Sequence, residues 1–253
     1  MHFGEDVDLC TCTNFTQLFQ AVSQGRADYA MAPVENSLAG SIHEVWDLLL
    51  KHAPHVVGEH YFHVKHFLIG RPGSRATDIR QAASHAQALA QCAVYLRKMN
   101  IRAIEEYDTA GAVALVKRRG NRHEAAIAPA AAAQLHDMEI LAENIQTDER
   151  NFTRFLILSH EPAPTQLDRR TLKNTLIFDM DNCASQLNSL LRALSEYPLT
   201  KIETNKQQNL PWVYRCYLEC VGNIKRDAIE TMRSKVGHLC QLNPYSIGEH
   251  PTQ

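Results

Sequence analysis

Ala32-Pro33-Val34-Glu35-Asn36-Ser37-Leu38-Ala39-Gly40-Ser41 sets small and polar groups between an apolar strand and an amphipathic helix. Upstream, Tyr29 to Met31 reads as a short buried strand. Downstream, Ser41 and Glu44 form an S-x-x-E capping box, and Val45, Leu48 and Leu49 follow at helical spacing. A helix N-terminus carries unpaired N–H groups and about half a positive charge, so a loop free of bulky side chains there lets a carboxylate approach. The same residues also read as an ordinary capped turn.

Outward from that stretch, Phe15, Leu18, Phe19 and Val22 recur at helical spacing after the candidate cap Thr13, and Gly25 stands where a helix would stop. A strand follows near Phe62 to Ile69, closed by the turn Arg71-Pro72-Gly73-Ser74. Then come strand Ile79 to Ala83, helix Ala86 to Asn100, strand Arg102 to Tyr107, helix Ala112 to Arg118, strand Glu124 to Ala128 and the alanine-rich helix Pro129 to Leu135. A strand around Glu139 and another over Phe152 to Leu158 complete this part. Such alternation predicts an α/β fold with parallel sheets covered on both faces.

Glu161-Pro162-Ala163-Pro164-Thr165 breaks the pattern as a linker. Beyond it the order is strand Asn174 to Asp179, helix Ser185 to Glu196, strand Leu199 to Asn205, strand Val213 to Cys220, helix Arg226 to Val236 and short strand Leu239 to Asn243. That βαββαβ order predicts a ferredoxin-like unit.

Composition narrows the classes of function. A chain of 253 residues with 45% hydrophobic content suits about two packed domains. Lys+Arg of 26 against Asp+Glu of 28 argues against nucleic acid or an anionic membrane as partner. No apolar run approaches the roughly 20 residues of a membrane span and no signal pattern opens the chain, which points to a cytoplasmic protein. Seven cysteines match neither a disulfide framework nor a zinc ribbon and read as reduced thiols. His52, His55, His60, His63 and His66 crowd together, but strand alternation would turn His63 and His66 to opposite faces, so no metal is expected.

Three polar loops join strands to helices in the first part: Glu35-Asn36-Ser37, Ser84-His85-Ala86-Gln87 and Asp108-Thr109-Ala110-Gly111. In open α/β sheets ligands lie outside the carboxyl ends of strands, so these loops are candidates for one crevice taking a ligand with more than one carboxylate. Each alone is equally a helix cap. Asn151-Phe152-Thr153-Arg154-Phe155-Leu156 adds a hydroxyl and a guanidinium at the start of an apolar strand, Arg154 reading either as a ligand contact or as a structural ion pair. No Ser-His-Asp order, P-loop or G-x-G-x-x-G is present.

Val34-Glu35-Asn36-Ser37-Leu38-Ala39-Gly40-Ser41, Ser84-His85-Ala86-Gln87-Ala88-Leu89-Ala90-Gln91-Cys92, Asp108-Thr109-Ala110-Gly111-Ala112 and Asn151-Phe152-Thr153-Arg154-Phe155 together resemble the successive signatures of the prephenate dehydratase family, and the second part resembles the ACT regulatory domain that follows in that family. The resemblance implies a two-lobed, periplasmic-binding-protein-like catalytic domain over 1–159, an ACT domain over 171–253, and conversion of prephenate to phenylpyruvate, water and carbon dioxide without a cofactor or metal. It gives Thr153 the role of general acid, with Arg154 and Phe155 beside it in the catalytic motif. Substrate binding falls by the same resemblance to Asn36, Ser37, Leu38, Ala39, Gly40, Ser84, Gln87, Thr109, Ala110 and Gly111. It further implies a homodimer or homotetramer with phenylalanine as effector.

The chain also departs from the family pattern. Family members open with a strand and a glycine-rich loop, whereas this sequence begins Met1-His2-Phe3-Gly4, so impaired turnover is expected. Where the ACT effector motifs would stand, the chain has Asn182, Cys183 and Ala184, then Glu203 and Thr204, which weakens the expectation of phenylalanine control. An arogenate dehydratase would share every catalytic feature. A non-catalytic sensor of an aromatic metabolite would keep the clefts, and a purely structural oligomerisation protein would leave the polar loops idle.

Overall fold

The structure is a computed structural model and describes residues 3–4, 6–162, 172–181, 183–207, 212–236, 238–242 and 244–246. Two compact units emerge, one of residues 1–62 with 153–253 and the other of residues 63–152. The mixed α/β architecture follows the fold class expected from the sequence.

In the first unit, helix α1 (Phe15–Ser23) leads into strand β1 (Tyr29–Asn36), the two-residue β2 (Gly40–Ser41), helix α2 (His43–His52) and strand β3 (His55–His63). Asn14, not Thr13, caps α1 by accepting from the Gln17 N–H at 2.9 Å, while Thr13 donates to the Gln17 side chain. β1 is longer than the hydrophobic pattern suggests, because Glu35 and Asn36 belong to the strand rather than to a loop. The expected Ser41–Glu44 capping box is absent. Ser41 lies in β2, α2 starts at His43, and its N-cap residue Ile42 makes no side-chain cap bond. Ser41 is claimed instead by tertiary partners, described below.

The second unit holds β4 (Phe67–Gly70), β5 (Gln81–Ser84), α3 (Ala86–Gln91), α4 (Ala93–Lys98), β6 (Arg102–Glu105), α5 (Thr109–Arg119), β7 (Glu124–Ala128), α6 (Ala130–Leu135) and β8 (Glu139–Ala142). The strand expected over Phe62 to Ile69 is interrupted between β3 and β4, and the helix expected over Ala86 to Asn100 breaks at Cys92. The sheet order is β6-β5-β7-β4-β8. β5 runs parallel to both β6 and β7, whereas β4 is antiparallel to β7 and β8, so the sheet is mixed where a parallel one was expected. Alternation in sequence reports that helices intervene, not which strand each return lands beside. Both faces are nonetheless covered. Leu68, Ala82, Ala125 and Ile127 pack with Leu89 and Leu96 in one core, and the intervening Ile69, Ala83, Ala126 and Ala128 pack with Val113 and Val116 in another. This is the period-two alternation of a strand buried on two sides.

The chain returns to the first unit in β9 (Phe152–Ser159) and continues through β10 (Leu172–Met180), α7 (Cys183–Ala193), β11 (Leu199–Lys206), β12 (Tyr214–Val221), α8 (Arg226–Arg233), β13 (His238–Gln241) and β14 (Tyr245–Ser246). β10, β11, β12 and β13 pair in the order β11-β12-β10-β13, all antiparallel, as a ferredoxin-like unit requires. β14 then pairs with β10 and, in parallel, with β3, which joins the elements into one nine-stranded sheet that also contains β9, β1 and β2.

The ferredoxin-like sheet is buried on both faces. Leu176, Phe178, Cys216 and Leu218 pack on Leu190, Leu194, Ile229 and Met232 of its own helices. The residues between them, Ile177 and Tyr217, join Trp46, Leu49, Val34 and Leu156 in a core shared with α2, β1 and β9. Removing about 25 cal/mol per Å² of apolar surface from water makes that shared core a strong bond between the sequence-distant halves of the unit.

Candidate functional site

Pro33 begins the site. It has no N–H to give the β1–β9 ladder, and the register shifts between Pro33 and Glu35, so that Pro33 faces Phe155, Glu35 faces Arg154 and Asn36 faces Thr153. Gly40, at φ +85°, supplies the left-handed residue the β1–β2 turn needs, and Asn36 and Gly40 pair across it. The Leu38 and Ala39 N–H groups donate to Asn36 Oδ1 at 3.1 and 2.9 Å. That fixes which way the amide points, and its Nδ2 donates to Thr153 Oγ1 at 3.1 Å. Thr153 is half-buried. A hydroxyl whose oxygen already accepts a hydrogen bond is a better proton donor, because the bond stabilises the charge left behind. Phe155 lies half-buried two residues on, on the face Thr153 uses.

Arg154 alternates to the opposite face and is only 5% exposed. Its Nε donates to Glu59 at 2.8 Å, its Nη atoms donate to both Glu219 oxygens at 2.7 Å and to Tyr245 Oη at 3.0 Å, and Glu35 lies 3.5 Å from Nη1. Four guanidinium N–H groups thereby donate hydrogen bonds within the protein, and the Glu35 carboxylate adds a nearby opposite charge. Lys173 completes the set by donating to both Glu59 oxygens at 2.9 and 3.0 Å, while Thr175 Oγ1 donates to Glu219 at 3.0 Å. Burial works against the Arg154 charge, but Glu219 and its other partners outweigh it and hold the group well above its ordinary value. Burial would likewise raise the Glu219 carboxyl, yet Arg154 dominates and keeps it below the ordinary range. The structural ion-pair reading of Arg154 is therefore the geometry observed, and it donates inside the protein.

A second polar cluster abuts the hairpin. Lys201, its side chain 9% exposed, reaches Glu35 at 2.8 Å, Ser41 Oγ at 2.8 Å and Glu203 at 2.9 Å, and Ser41 donates its own proton to Glu203. His43 Nε2 lies 3.4 Å from Glu203. Burial raises the Glu203 carboxyl, but the Ser41 and Lys201 hydrogen bonds bring it below its ordinary value.

In the second unit Ser84 and the Asp108 loop sit at the carboxyl ends of the adjacent parallel strands β5 and β6, tied by the Glu106 N–H to the Ser84 carbonyl at 2.9 Å. Both following helices are capped by near neighbours. His85 Nδ1 accepts from the Gln87 N–H, and the Asp108 carboxylate accepts from the Gly111 N–H. A Cβ on Gly111 would collide with that carboxylate, which explains glycine there. Ser84 is fully buried and donates its one proton to the Ile127 carbonyl at 2.7 Å, so it ties β5 to β7 and has no proton left for a ligand. Gln87 and Ala110 are exposed, and Thr109 is half-buried.

The structure thus gathers Asn36 to Gly40 with Thr153 and Phe155 in one unit, and Ser84 and Gln87 with Thr109, Ala110 and Gly111 in the other. Of the candidate effector residues, Asn182 and the side chain of Cys183 lie outside the described residues, Ala184 is exposed at the start of α7, Glu203 is committed to Lys201 and Ser41, and Thr204 is exposed on β11. His63 stacks on Phe152 and His66 is buried, its Nε2 2.7 Å from Gln91 Oε1. No group of three or more metal-ligating side chains converges among the described residues. Sequence reading missed Glu59, Lys173, Lys201, Glu219 and Tyr245. The carboxylate of Glu219 within the apolar run Tyr217-Leu218-Glu219-Cys220-Val221 was the available signal, since a fully buried acid is almost always paired.

The chain is similar to known proteins along most of its length. The family model for prephenate dehydratase matches residues 1–163. Arogenate dehydratase/prephenate dehydratase 1, chloroplastic, of Arabidopsis thaliana is 42% identical over 202 residues, which is 79% of this chain and 51% of the relative. The chain spans about half the length of the curated relatives it matches. Among solved structures, GqqA, described as a novel type of quorum quenching acylase, aligns with a TM-score of 0.84 at 30% identity over 95% of this chain and 89% of its own. Prephenate dehydratase from Arthrobacter aurescens, in complex with L-Phe, aligns with a TM-score of 0.78 at 25% identity over 93% and 80%.

Proposed function

The chain belongs to the prephenate dehydratase family, and from that premise we propose that it converts prephenate to phenylpyruvate, water and carbon dioxide, with Thr153 as the acid. The reading is carried by the contact from the Asn36 amide to the Thr153 hydroxyl. Loss of the ring carboxylate as carbon dioxide pushes an electron pair into the ring and toward the departing hydroxyl. Thr153 gives that hydroxyl its proton so that water leaves, the ring becomes aromatic, and Thr153 recovers a proton from solvent. Asn36 stabilises the threonine oxygen during the transfer. Because Arg154, Ser84 and the Leu38, Ala39 and Gly111 N–H groups already donate within the protein, the side chains proposed to bind carboxylate are Ser37 in the first unit and Gln87 and Thr109 in the second. Arg154 serves by holding β9 in place.

Arogenate is the second candidate substrate, favoured by the names of the plant relatives. The ferredoxin-like unit is proposed to act as an ACT domain within a cytoplasmic homodimer or homotetramer, with phenylalanine as effector because the Arthrobacter enzyme is described with L-Phe. A different chemistry, acylase activity, is favoured by the high structural similarity to GqqA, which is described as a quorum quenching acylase. Following phenylpyruvate formed from prephenate and phenylalanine formed from arogenate, beside free acid released from an N-acyl amide, separates the three. Release of acid alone overturns the dehydratase reading.

A further inference from the structure

The hairpin that presents Asn36 has only two ladder pairs, Glu35 with Ser41 and Asn36 with Gly40. A ribbon that short is not stable by itself in water. On its other side β1 is laddered to β9, with Asn36 opposite Thr153, but β2 pairs with no further strand among the described residues, so that leg is held by side chains. Lys201 on β11 places one ammonium between the two legs, touching Glu35 on β1 and Ser41 on β2 at 2.8 Å each, and reaches Glu203 at 2.9 Å. An ammonium has three donors, and here three oxygens accept them. Ser41 passes its own proton on to Glu203, so both legs are held by one closed set of hydrogen bonds. One residue beyond Glu35 stands Asn36, whose amide meets the Thr153 hydroxyl.

We infer that Lys201 is a positioning residue for the proton donor: strand β11 of the ferredoxin-like unit clamps the hairpin and so fixes the Asn36 amide against Thr153. This rests on the reading of Thr153 as the acid. Without the ammonium, the Ser41–Glu203 hydrogen bond is left to hold the hairpin to β11 against repulsion between the Glu35 and Glu203 carboxylates, and the hairpin shifts on β11. A displacement of about 1 Å in a catalytic contact can cost about a hundredfold in rate. Partial retention of the hairpin through Arg154, 3.5 Å from Glu35, sets the expected loss lower.

The test is steady-state turnover of prephenate by the full chain and its variants. Lys201→Met is expected to lower kcat about tenfold with KM changed less than about twofold, and Lys201→Arg to restore most of the loss. In an Asn36→Ala background, Lys201→Met should add less than about twofold, because the amide it positions is gone. An unchanged kcat in Lys201→Met, or the same tenfold loss with Asn36 already removed, overturns the inference. If Lys201→Met does not fold, Ser41→Ala removes one leg of the clamp without stranding a charge, and a kcat unaltered by it is equally fatal. Should the wild-type chain not turn over prephenate, the functional reading fails by itself. Hydrogen exchange of the Leu38 and Ala39 amides then still decides the clamp: about tenfold faster exchange in Lys201→Met, or in Ser41→Ala if the former does not fold, supports it, and no change refutes it.

Discussion

The two units hold their candidate site residues by different means. In the second, His85 caps its helix at Gln87 and Asp108 caps its helix at Gly111, two and three residues away. In the first, Asn36 meets Thr153 across 117 residues of sequence, Arg154 meets Glu219 across 65, and Lys201 meets Ser41 across 160. Local caps are worth about 1 kcal/mol each and can form whenever the helix does. The long-range set exists only when the nine-stranded sheet is complete, and its buried charges are costly to leave unpaired. The contrast separates loops whose geometry is set by near neighbours from a hairpin whose geometry depends on the whole unit.

The sharpest way to break that contrast is at the chemistry. Thr153→Ala is expected to lower kcat about a hundredfold or more, while Gln87→Ala raises KM and leaves kcat within about twofold in the same steady-state assay. Equal kcat losses at both positions erase the division of labour. Stability comes next. Glu219→Ala strands the Arg154 charge and should cost about 3–5 kcal/mol in urea unfolding, and an Arg154→Met/Glu219→Leu pair should cost much less than the single change. Asp108→Ala, by comparison, removes one exposed cap at about 1 kcal/mol. Gly111→Ala pushes the Asp108 carboxylate out of its capping position and should cost a similar amount, with little added loss when Asp108 is already alanine.

Acid titration sharpens the comparison further. Arg154 holds the buried Glu219 carboxyl below its ordinary value, and the unfolded carboxyl titrates near about 4.3. In that window the unfolded state binds more protons, so stability rises with pH. The stabilisation is complete above the unfolded value and is lost as pH falls through the depressed folded value. Urea melts across a pH series should therefore show stability falling more steeply below about pH 5 in the wild-type chain than in Glu219→Ala. Parallel curves would mean that the pair carries no titratable stability.

Much of the frame was legible in the residues. The apolar spacing of α1 and α2, the strand-helix alternation and the βαββαβ order all depend on neighbours within a few positions. Where the reading went astray, a distant partner won. Ser41 was available to cap α2, but Lys201 and Glu203 claim it. Arg154 had the chemistry to hold a carboxylate, and Glu219, Glu59 and Tyr245 consume its donors. β4 could have run parallel to its neighbours, and the sheet seats it antiparallel.

By itself the sequence determined where most helices and strands lie and which polar loops join them. These are properties of torsional preference and hydrophobic period. Only the tertiary structure decided that Thr153 receives the Asn36 amide, that Arg154 is internal, and that Lys201 grips the hairpin. A donor in an unfolded chain has many acceptors within its chemistry, and it is sheet register and burial that leave it one.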